Sequence, residues 1–396
     1  MEAAGPALAA GTAAPAAPPV SRARLVRVEV RDFRNLHRVD VAPPVEGMIL
    51  VGENGQGKTN FLEAIHYLQL LRSFRGARDT ELVNFEARAF YLAADLADAR
   101  ARTVSAGFER SSKRKRVLVD GGETDRLTDA LGAFPAVLFS PRDGGIVAGA
   151  AAARRRLLDV MLALSARPYL VALQRYRTAL AQRGAAMRQP GPAARVEQSV
   201  AVWETPLAES GAVLWLARRA WVDAHRARYA ELCRGIGERG TAAMRYVSSV
   251  AAGAADPGAL RDALRDALAR HRAADIRRGL THAGPHRDDL ALSLDGRELR
   301  TYGSAGQQRT AAIALRLLEA DTRRAAAGSE PIILLDDPFA ELDAGRSLRI
   351  LELLSAERSG QIVLAVPRDG DIPLGLTQLA RHRVTAGAIT PAAGAA

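Results

Sequence analysis

The sequence predicts an α/β fold in which a nucleotide-binding sheet is divided between the two ends of the chain, with a helical block between them. Three observations carry this. Gly52-Glu53-Asn54-Gly55-Gln56-Gly57-Lys58-Thr59 fits the phosphate-loop pattern G-x-x-x-x-G-K-[ST], between an apolar run at residues 48–51 and a helix-opening run at 60–65. Far downstream, Pro331-Ile332-Ile333-Leu334-Leu335-Asp336-Asp337 reads as a buried strand ending in two carboxylates. Between them the apolar period becomes helical after residue 143 and returns to strand-like runs after residue 280.

Composition narrows the class. A chain of 396 residues allows two or three domains and a sizeable core. The net charge of +11 and pI of about 10.5, carried largely by Arg in an Ala-rich sequence, favour polyanionic partners. Cys233 is the only cysteine, which rules out an intrachain disulfide or a cysteine-rich zinc site and suits a reducing cytoplasm. No apolar run approaches the ~18 residues of a membrane span, so no membrane partner is expected. Residues 1–22 are rich in Ala and Pro, lack the charged and apolar regions of a signal peptide, and read as a disordered tail.

Taken in order, residues 25–30 alternate as a strand does, and Pro43-Pro44 turns the chain toward the P-loop strand. The loop glycines let backbone N–H groups face phosphate oxygens, and the start of the following helix adds partial positive charge. Lys58 is placed for the β/γ-phosphates and the Thr59 hydroxyl for Mg²⁺. A glycine turn that binds nothing has the same composition, but the strand before and the helix after, running to about Arg72, select the phosphate loop. Short strands follow at 91–95, 103–109 and 117–120, with a turn at Asp120-Gly121-Gly122. Lys113-Arg114-Lys115-Arg116 forms a basic tip between two of them, which either touches DNA phosphates or is merely solvated. Residues 136–139 are an apolar strand ending at Ser140-Pro141-Arg142-Asp143, a domain boundary. Helices are predicted over 154–183, 196–235 and 258–277, with Pro206 at a kink or start in the second. They carry a second set of candidate phosphate contacts, Arg154, Arg155 and Arg156, and three tryptophans, Trp203, Trp215 and Trp221, that read as core. Sustained heptads are missing, so a long coiled coil is not expected. Residues 290–294 alternate, Ser304 opens a helix reaching about Arg324, 346–358 is helical and 361–366 is a buried strand. The expected division is a disordered tail (1–22), an N-terminal ATPase part (23–140), a helical arm (141–278), a C-terminal ATPase part (279–385) and a flexible tail (386–396).

The second half of the nucleotide site follows from charge placement. A buried strand ending in Asp delivers a carboxylate to the Mg²⁺ beside a P-loop; Asp336 takes that role, and Asp337 orients or deprotonates the attacking water. The plainer alternative is a strand that ends in an Asp-Asp turn. Ser304, Ala305, Gly306 and Gln307 fit the capping box S-x-x-Q, and the same exposed N–H groups and hydroxyl suit a phosphate. P-loop, S-x-G-Q, apolar strand with Asp, then Glu341, Leu342 and Asp343 as a D-loop is the motif order of ABC-type ATPases. In that class the S-x-G-Q segment of one subunit covers the γ-phosphate held by the other. The long stretch between Lys58 and Asp336 argues against a compact metabolic kinase and for an ATPase head split by an insertion.

The chain resembles the RecF family, an SMC/Rad50-like ABC ATPase head split by a helical arm without a long coiled coil. The resemblance covers about residues 24–384. It rests on Phe33-Arg34-Asn35, the loop ending Lys58-Thr59-Asn60, Phe139-Ser140-Pro141 with Arg155, Arg156 and Asp159, Gly284-Pro285-His286-Arg287-Asp288-Asp289, Ser304 through Arg309, and Leu335 through Asp343. It implies a cytoplasmic, ATP- and Mg²⁺-dependent homodimer and adds Arg34, Asn35 and Asn60 to the nucleotide-binding set. It also implies binding to single-stranded, gapped or junction DNA, action with RecR- and RecO-type mediators in RecA loading and SOS induction, and slow DNA-stimulated ATP hydrolysis. Arg142 departs from the family's usual acidic residue, and Pro367-Arg368-Asp369 stands where transporter ATPases carry a switch histidine. The competing readings are the nucleotide-binding subunit of an ABC transporter and a scaffold that binds ATP without turnover. For His286 and Arg287 two roles stay open, a tie between arm and core or a ligand contact.

Overall fold

Four short runs without polar alternation make the central sheet. In the computed structural model, which describes residues 21–248, 250, 256–339, 344–356 and 360–392, Gly47–Val51, Ala136–Phe139, Ile332–Asp336 and Ile362–Val366 are buried at every position. Strands of that kind need cover on both faces, which is the situation of a parallel sheet. They pair in parallel, joined by Ala380–Thr385, in the order 380–385, 47–51, 362–366, 332–336, 136–139; Ala388–Pro391 closes the first edge antiparallel. The register sets Asp336 against Ala365 and Val366 against Val51. The P-loop and the Asp336-Asp337 pair therefore leave the sheet at the same carboxyl end, where open α/β sheets bind ligands.

Arg24–Phe33, Leu36–Val41, Ala89–Ala97 and Thr103–Glu109 alternate buried and exposed residues and belong to a separate antiparallel sheet. The P-loop helix, Lys58–Leu70, lies between the two sheets; its Phe61, Leu62, Ile65 and Leu68 share a core with Met48 and Leu50 on one side and Val30 and Phe90 on the other. Ile49 and Val51 point to the opposite face, against the signature helix, Ala305–Ala327. That second core continues through Leu173, Leu207 and Tyr229 of the arm, so head and arm share one hydrophobic interior.

The arm departs from the sequence reading in its breaks. The helix expected over 154–183 is two, Ala151–Ser165 and Arg167–Met187, split where Ala166 is extended (φ −142°, ψ 111°). Pro168 explains the split, since proline lacks an N–H and fits only the first helical turn. The run 196–235 is likewise Ala193–Ala201 and Glu204–Ile236, with Pro206 in the first turn of the second. Pro257–Arg278 completes the arm. Trp215 and Trp221 are buried as expected, and the Trp221 indole N–H donates to Thr322 of the signature helix at 2.9 Å. Ala242–Val247, read as part of the helical block, is a strand paired antiparallel with Asp289–Leu294. Both expected tails also hold structure. Ser21–Arg22 pairs with Ser329–Glu330, and Ala388–Pro391 is an edge strand. Among the described residues no helix is long and apolar enough to cross a membrane.

Candidate nucleotide-binding site

The P-loop bends at two glycines. Gly55 (φ 84°) and Gly57 (φ 120°) are left-handed, and a Cβ on Gly57 would lie 2.9 Å from Leu36 and 3.1 Å from the Asn35 amide. Glu53, Asn54 and Gly55 form the exposed crown, while Gly52, Gly57 and Lys58 are buried beneath it. The Lys58 ammonium donates to the Gly52 and Glu53 carbonyls of its own loop. Burial lowers its pKa, with Asp336 and Asp337 pulling the other way. Thr59 Oγ1 donates to Asp336 Oδ1 at 2.7 Å, a contact between residues 277 apart in sequence. Asp337 adopts φ 44° and donates its N–H to Ala365. Burial raises both carboxyls above the ordinary aspartate range; Asp371 adds to the effect on Asp337. A carboxylate beside a hydroxyl gives hard oxygen donors of the kind Mg²⁺ takes from a protein, with phosphates and water completing its shell.

The loop is braced from two sides. Asn60 Nδ2 donates to Asn35 Oδ1 at 2.8 Å, and Asn35 Nδ2 donates to the Gly55 carbonyl at 3.1 Å. Arg34, read with the nucleotide-binding set, instead grips Glu63 of the P-loop helix through Nε and Nη2 (3.0 and 3.2 Å); Glu63 is fully buried and also accepts from Ser73. Its guanidinium thereby fixes the helix. On the other side Gln56 Oε1 accepts from Ala386 N–H at 2.6 Å, and the Gln56 carbonyl accepts from Gly387 at 2.9 Å. This clasp comes from the turn between the two C-terminal strands, in the stretch read as a tail. No local sequence signal marks a contact across 330 residues.

Ser304 caps the signature helix as the capping box predicts: its Oγ accepts from Gln307 N–H at 3.2 Å, and Gln307 Oε1 accepts from Ser304 N–H at 2.9 Å. Ser304 and Ala305 are exposed, Gly306 and Gln307 half-buried, and no hydrogen bond joins them to the P-loop of the same chain among the described residues. Arg309, missed as a site residue, is buried one turn further on; it donates to Ser140 O at 2.7 Å and Pro338 O at 3.0 Å. It ties the signature helix to the ends of two sheet strands, one of them carrying Asp336 and Asp337. Glu341, Leu342 and Asp343 lie outside the described residues.

The structure divides the candidate DNA contacts. Lys113, Arg114 and Arg116 are exposed. Lys115 is not: its ammonium pairs with Asp79 at 2.8 Å, donates to Leu71 O and lies over the Tyr67 ring. Arg154 is buried, bidentate to Asp289 (2.7 and 2.8 Å) and bonded to three carbonyls of residues 146–149. Both are therefore corrected from DNA contacts to structural cations, since each charged head is paired with a carboxylate and bonded to carbonyls within the fold. Arg155 is half-buried and Arg156 exposed. For the open question at His286 and Arg287 the geometry is that of a tie. Tyr176 Oη lies 2.6 Å from His286 Nδ1, His286 Nε2 lies 3.0 Å from Thr281 O, and Arg287 Nε donates to the same carbonyl. Burial lowers the His286 pKa to about 4, so the neutral ring accepts from Tyr176 and donates to Thr281.

Comparison with known proteins agrees with this geometry. Residues 24–370 match the family model for the RecF/RecN/SMC N-terminal domain. The DNA replication and repair protein RecF of Salinibacter ruber is 35% identical, covering 87% of this chain and 84% of that protein; that of Anaeromyxobacter sp. (strain Fw109-5) is 36% identical, covering 93% and 99%. Among solved structures, the recombination mediator protein RecF with ATP, from the RecFOR pathway, superposes with a TM-score of 0.85 at 26% identity over 95% of this chain and 99% of that one. An Smc head bound to the C-terminal winged-helix domain of ScpA shares the fold alone, with a TM-score of 0.53 at 14% identity over 93% and 97%. Fold and site together define an SMC-type ATPase head. Within that class the chain belongs to the RecF family, and its role lies in DNA replication and repair. A transporter subunit is not favoured.

Proposed function

We propose that the chain is an ATP-driven switch that closes on DNA during recombinational repair. ATP sits on the P-loop with Lys58 turned from its own carbonyls to the phosphates. Thr59 and Asp336 would hold Mg²⁺, which would supply neutralisation of phosphate charge, and Asp337 orients the attacking water. Two copies close so that Ser304, Ala305, Gly306 and Gln307 of one cover the γ-phosphate on the other, and Arg309 links that event to the strand carrying both aspartates. The closed dimer engages single-stranded, gapped or junction DNA through phosphates. Hydrolysis is slow, DNA-stimulated and resets the switch. RecR- and RecO-type mediators are the expected partners, in support of RecA loading and SOS induction; the solved RecF–ATP relative of the RecFOR pathway supports this part of the reading.

The observation that carries the proposal is the Thr59–Asp336 hydrogen bond, which joins the two distant motifs at one strand end. Its test is Lys58→Ala. Nucleotide titration should show at least a ten-fold loss of ATP affinity, and sizing in ATP should show no dimer. Affinity within two-fold of the parent would refute the site.

A further inference from the structure

Away from the P-loop, a cleft of 470 Å³ opens where the end of the P-loop helix meets the arm helices Ala151–Ser165, Arg167–Met187 and Glu204–Ile236. Arg72, Arg155, Arg156, Arg177 and Arg218 line it, and Asp159 is the only acidic side chain among its described lining residues. Arg177 and Arg218 share that one carboxylate, at 3.1 and 2.6 Å. Arg155 donates to the Asp288 carbonyl oxygen at 2.7 Å, with the Asp288 and Asp289 carboxylates acting on it from outside the cleft lining. Arg72 and Arg156 have no hydrogen-bond or ion-pair partner among the described residues, and Arg72 is half-buried. His286, also on the wall, is neutral at pH 7. Five guanidiniums and one carboxylate thus stand among the lining side chains of a partly desolvated space, with Arg218 already bonded to Tyr169, Tyr246, Pro285 O and Asp159.

The electrostatics record the imbalance. Burial, then the like charges of Arg156 and Arg177, depress the pKa of Arg72 against the pull of Asp159; burial and Arg218 do the same to Arg155 against Asp289, Asp288 and Asp159, whereas against burial Arg218 itself is raised by Tyr169, Asp159 and Tyr246. Guanidinium does not give up its proton in a protein, so the mutual repulsion persists. It is relieved by an anion whose oxygens accept from several planar N–H forks at once, and phosphate has that geometry. Arg72 stands just past the far end of the 13-residue P-loop helix, about 20 Å along it from Lys58 at ~1.5 Å per residue, while Ser73 on the same wall turns back to Glu63. The cleft admits a single phosphate group or a short polyphosphate but not a duplex, which is on the order of 20 Å wide.

We propose that this cleft is a second anion site, which takes a multiply charged phosphate group, either free as a polyphosphate or at the end of a nucleic-acid strand. Arg218, buried and bonded to Asp159, forms its back, Arg177 stands on its exposed rim, and Arg72 and Arg156 supply the open donors. The site stands independently of ATP binding at the P-loop.

The test uses the full chain carrying Lys58→Ala, so that the P-loop is weakened in every arm. Tripolyphosphate, and separately a 5′-phosphorylated and a 5′-hydroxyl oligonucleotide of one sequence, are titrated without Mg²⁺ by calorimetry and thermal unfolding. Tripolyphosphate should bind saturably, and addition of Arg72→Gln and Arg156→Gln should weaken it at least ten-fold. The same pair of substitutions should raise the melting temperature in the absence of anion, because repulsion is removed; a protein that merely failed to fold would melt lower. A ten-fold preference for the 5′-phosphorylated strand, lost in the variant, assigns the group to a strand end. Equal binding of the two oligonucleotides, with variant-sensitive tripolyphosphate binding, assigns it to a free polyphosphate. Equal tripolyphosphate affinity in variant and parent, or stabilisation that never saturates and that sodium sulfate reproduces, overturns the proposal.

Discussion

At the scale of single residues the site is poised by two buried carboxyls side by side. Asp336 and Asp337 adjoin one another, and burial raises the pKa of each. The consequence for stability has a definite sign. Below the ordinary aspartate range, about 4, folded and unfolded chains are both protonated and the carboxyls cost little. As pH rises through the raised native values, the folded state must release protons it holds more tightly than the unfolded chain does, and stability is lost. At pH 7 both carboxylates therefore weaken the nucleotide-free fold. Asp337→Asn should melt a few degrees above the parent at pH 7, with the difference vanishing as pH falls toward about 4. In ATP the same variant should hold its dimer longer on sizing columns and hydrolyse ATP at least ten-fold more slowly, because Asp336 still serves the metal while the water loses its carboxylate. Equal melting at every pH would mean that the Asp337 carboxylate is fully hydrated, and a parental hydrolysis rate would remove it from catalysis. Lys58, Thr59, Asp336 and Asp337 were legible because each sits at a fixed offset from an apolar run. Arg309 and Gln56 were not legible in the roles they fill, because those depend on carbonyls and amides brought near from other segments.

At the scale of elements, what was legible is what local chemistry dictates. Continuous apolar runs became the parallel strands, and S-x-x-Q became a real capping box. The strand Ala380–Thr385 escaped because His382, Arg381 and Arg383 interrupt any apolar pattern; it is recruited by pairing with the P-loop strand. Ala242–Val247 escaped for a similar reason, lying next to long helices and finding its partner in Asp289–Leu294. The capping box allows a clean separation of roles. Ser304→Arg removes one cap, a loss of about 1 kcal/mol. If the exposed Ser304 acts only on its own helix, ATP-dependent dimer formation should survive once that loss is allowed for. The trans role predicts instead that each monomer still binds ATP and melts nearly as the parent does, while the dimer fraction on sizing in ATP falls at least ten-fold. In the arm, Arg183 is fully buried between Asp275 (2.7 Å) and Glu204 (3.4 Å), with Thr281 accepting at 2.8 Å. It joins three helices, or their ends, through two carboxylates and a hydroxyl. Arg183→Met should cost about 3–5 kcal/mol in denaturant unfolding, because Asp275 is left in the interior without its guanidinium. A loss below about 1 kcal/mol would mean that water or His282 takes its place.

At the scale of the whole molecule, one hydrophobic interior runs from the parallel sheet into the arm, so the strand ends of the proposed nucleotide site and the arm helices are packed as one body. Trp221 bonded to Thr322 and Arg309 bonded to Ser140 and Pro338 are the polar rivets along that path. The net charge of +11 is the other global property, and the basic tip offers part of it: Lys113, Arg114 and Arg116 are exposed, with Glu123 pairing Arg116 at 2.7 Å and Arg114 at 4.0 Å. DNA affinity should therefore be a sum of many weak phosphate contacts, and closing two copies on one segment should raise their number. Each neutralised phosphate adds roughly −0.9 to the slope of log affinity against log salt on duplex DNA. The ATP-bound state should show a slope steeper than the nucleotide-free state by several such increments if closure doubles the contacts. Replacing Lys113 and Arg114 with Ala should make the slope shallower by one or two increments at unchanged melting temperature. Arg154→Ala, which empties a buried ion pair, should instead lower the melting temperature and leave the slope alone. The measurement is DNA affinity over a salt series with and without ATP. Equal slopes in the two states would mean that closure does not assemble the DNA surface, and would confine the effect of ATP to partner recruitment.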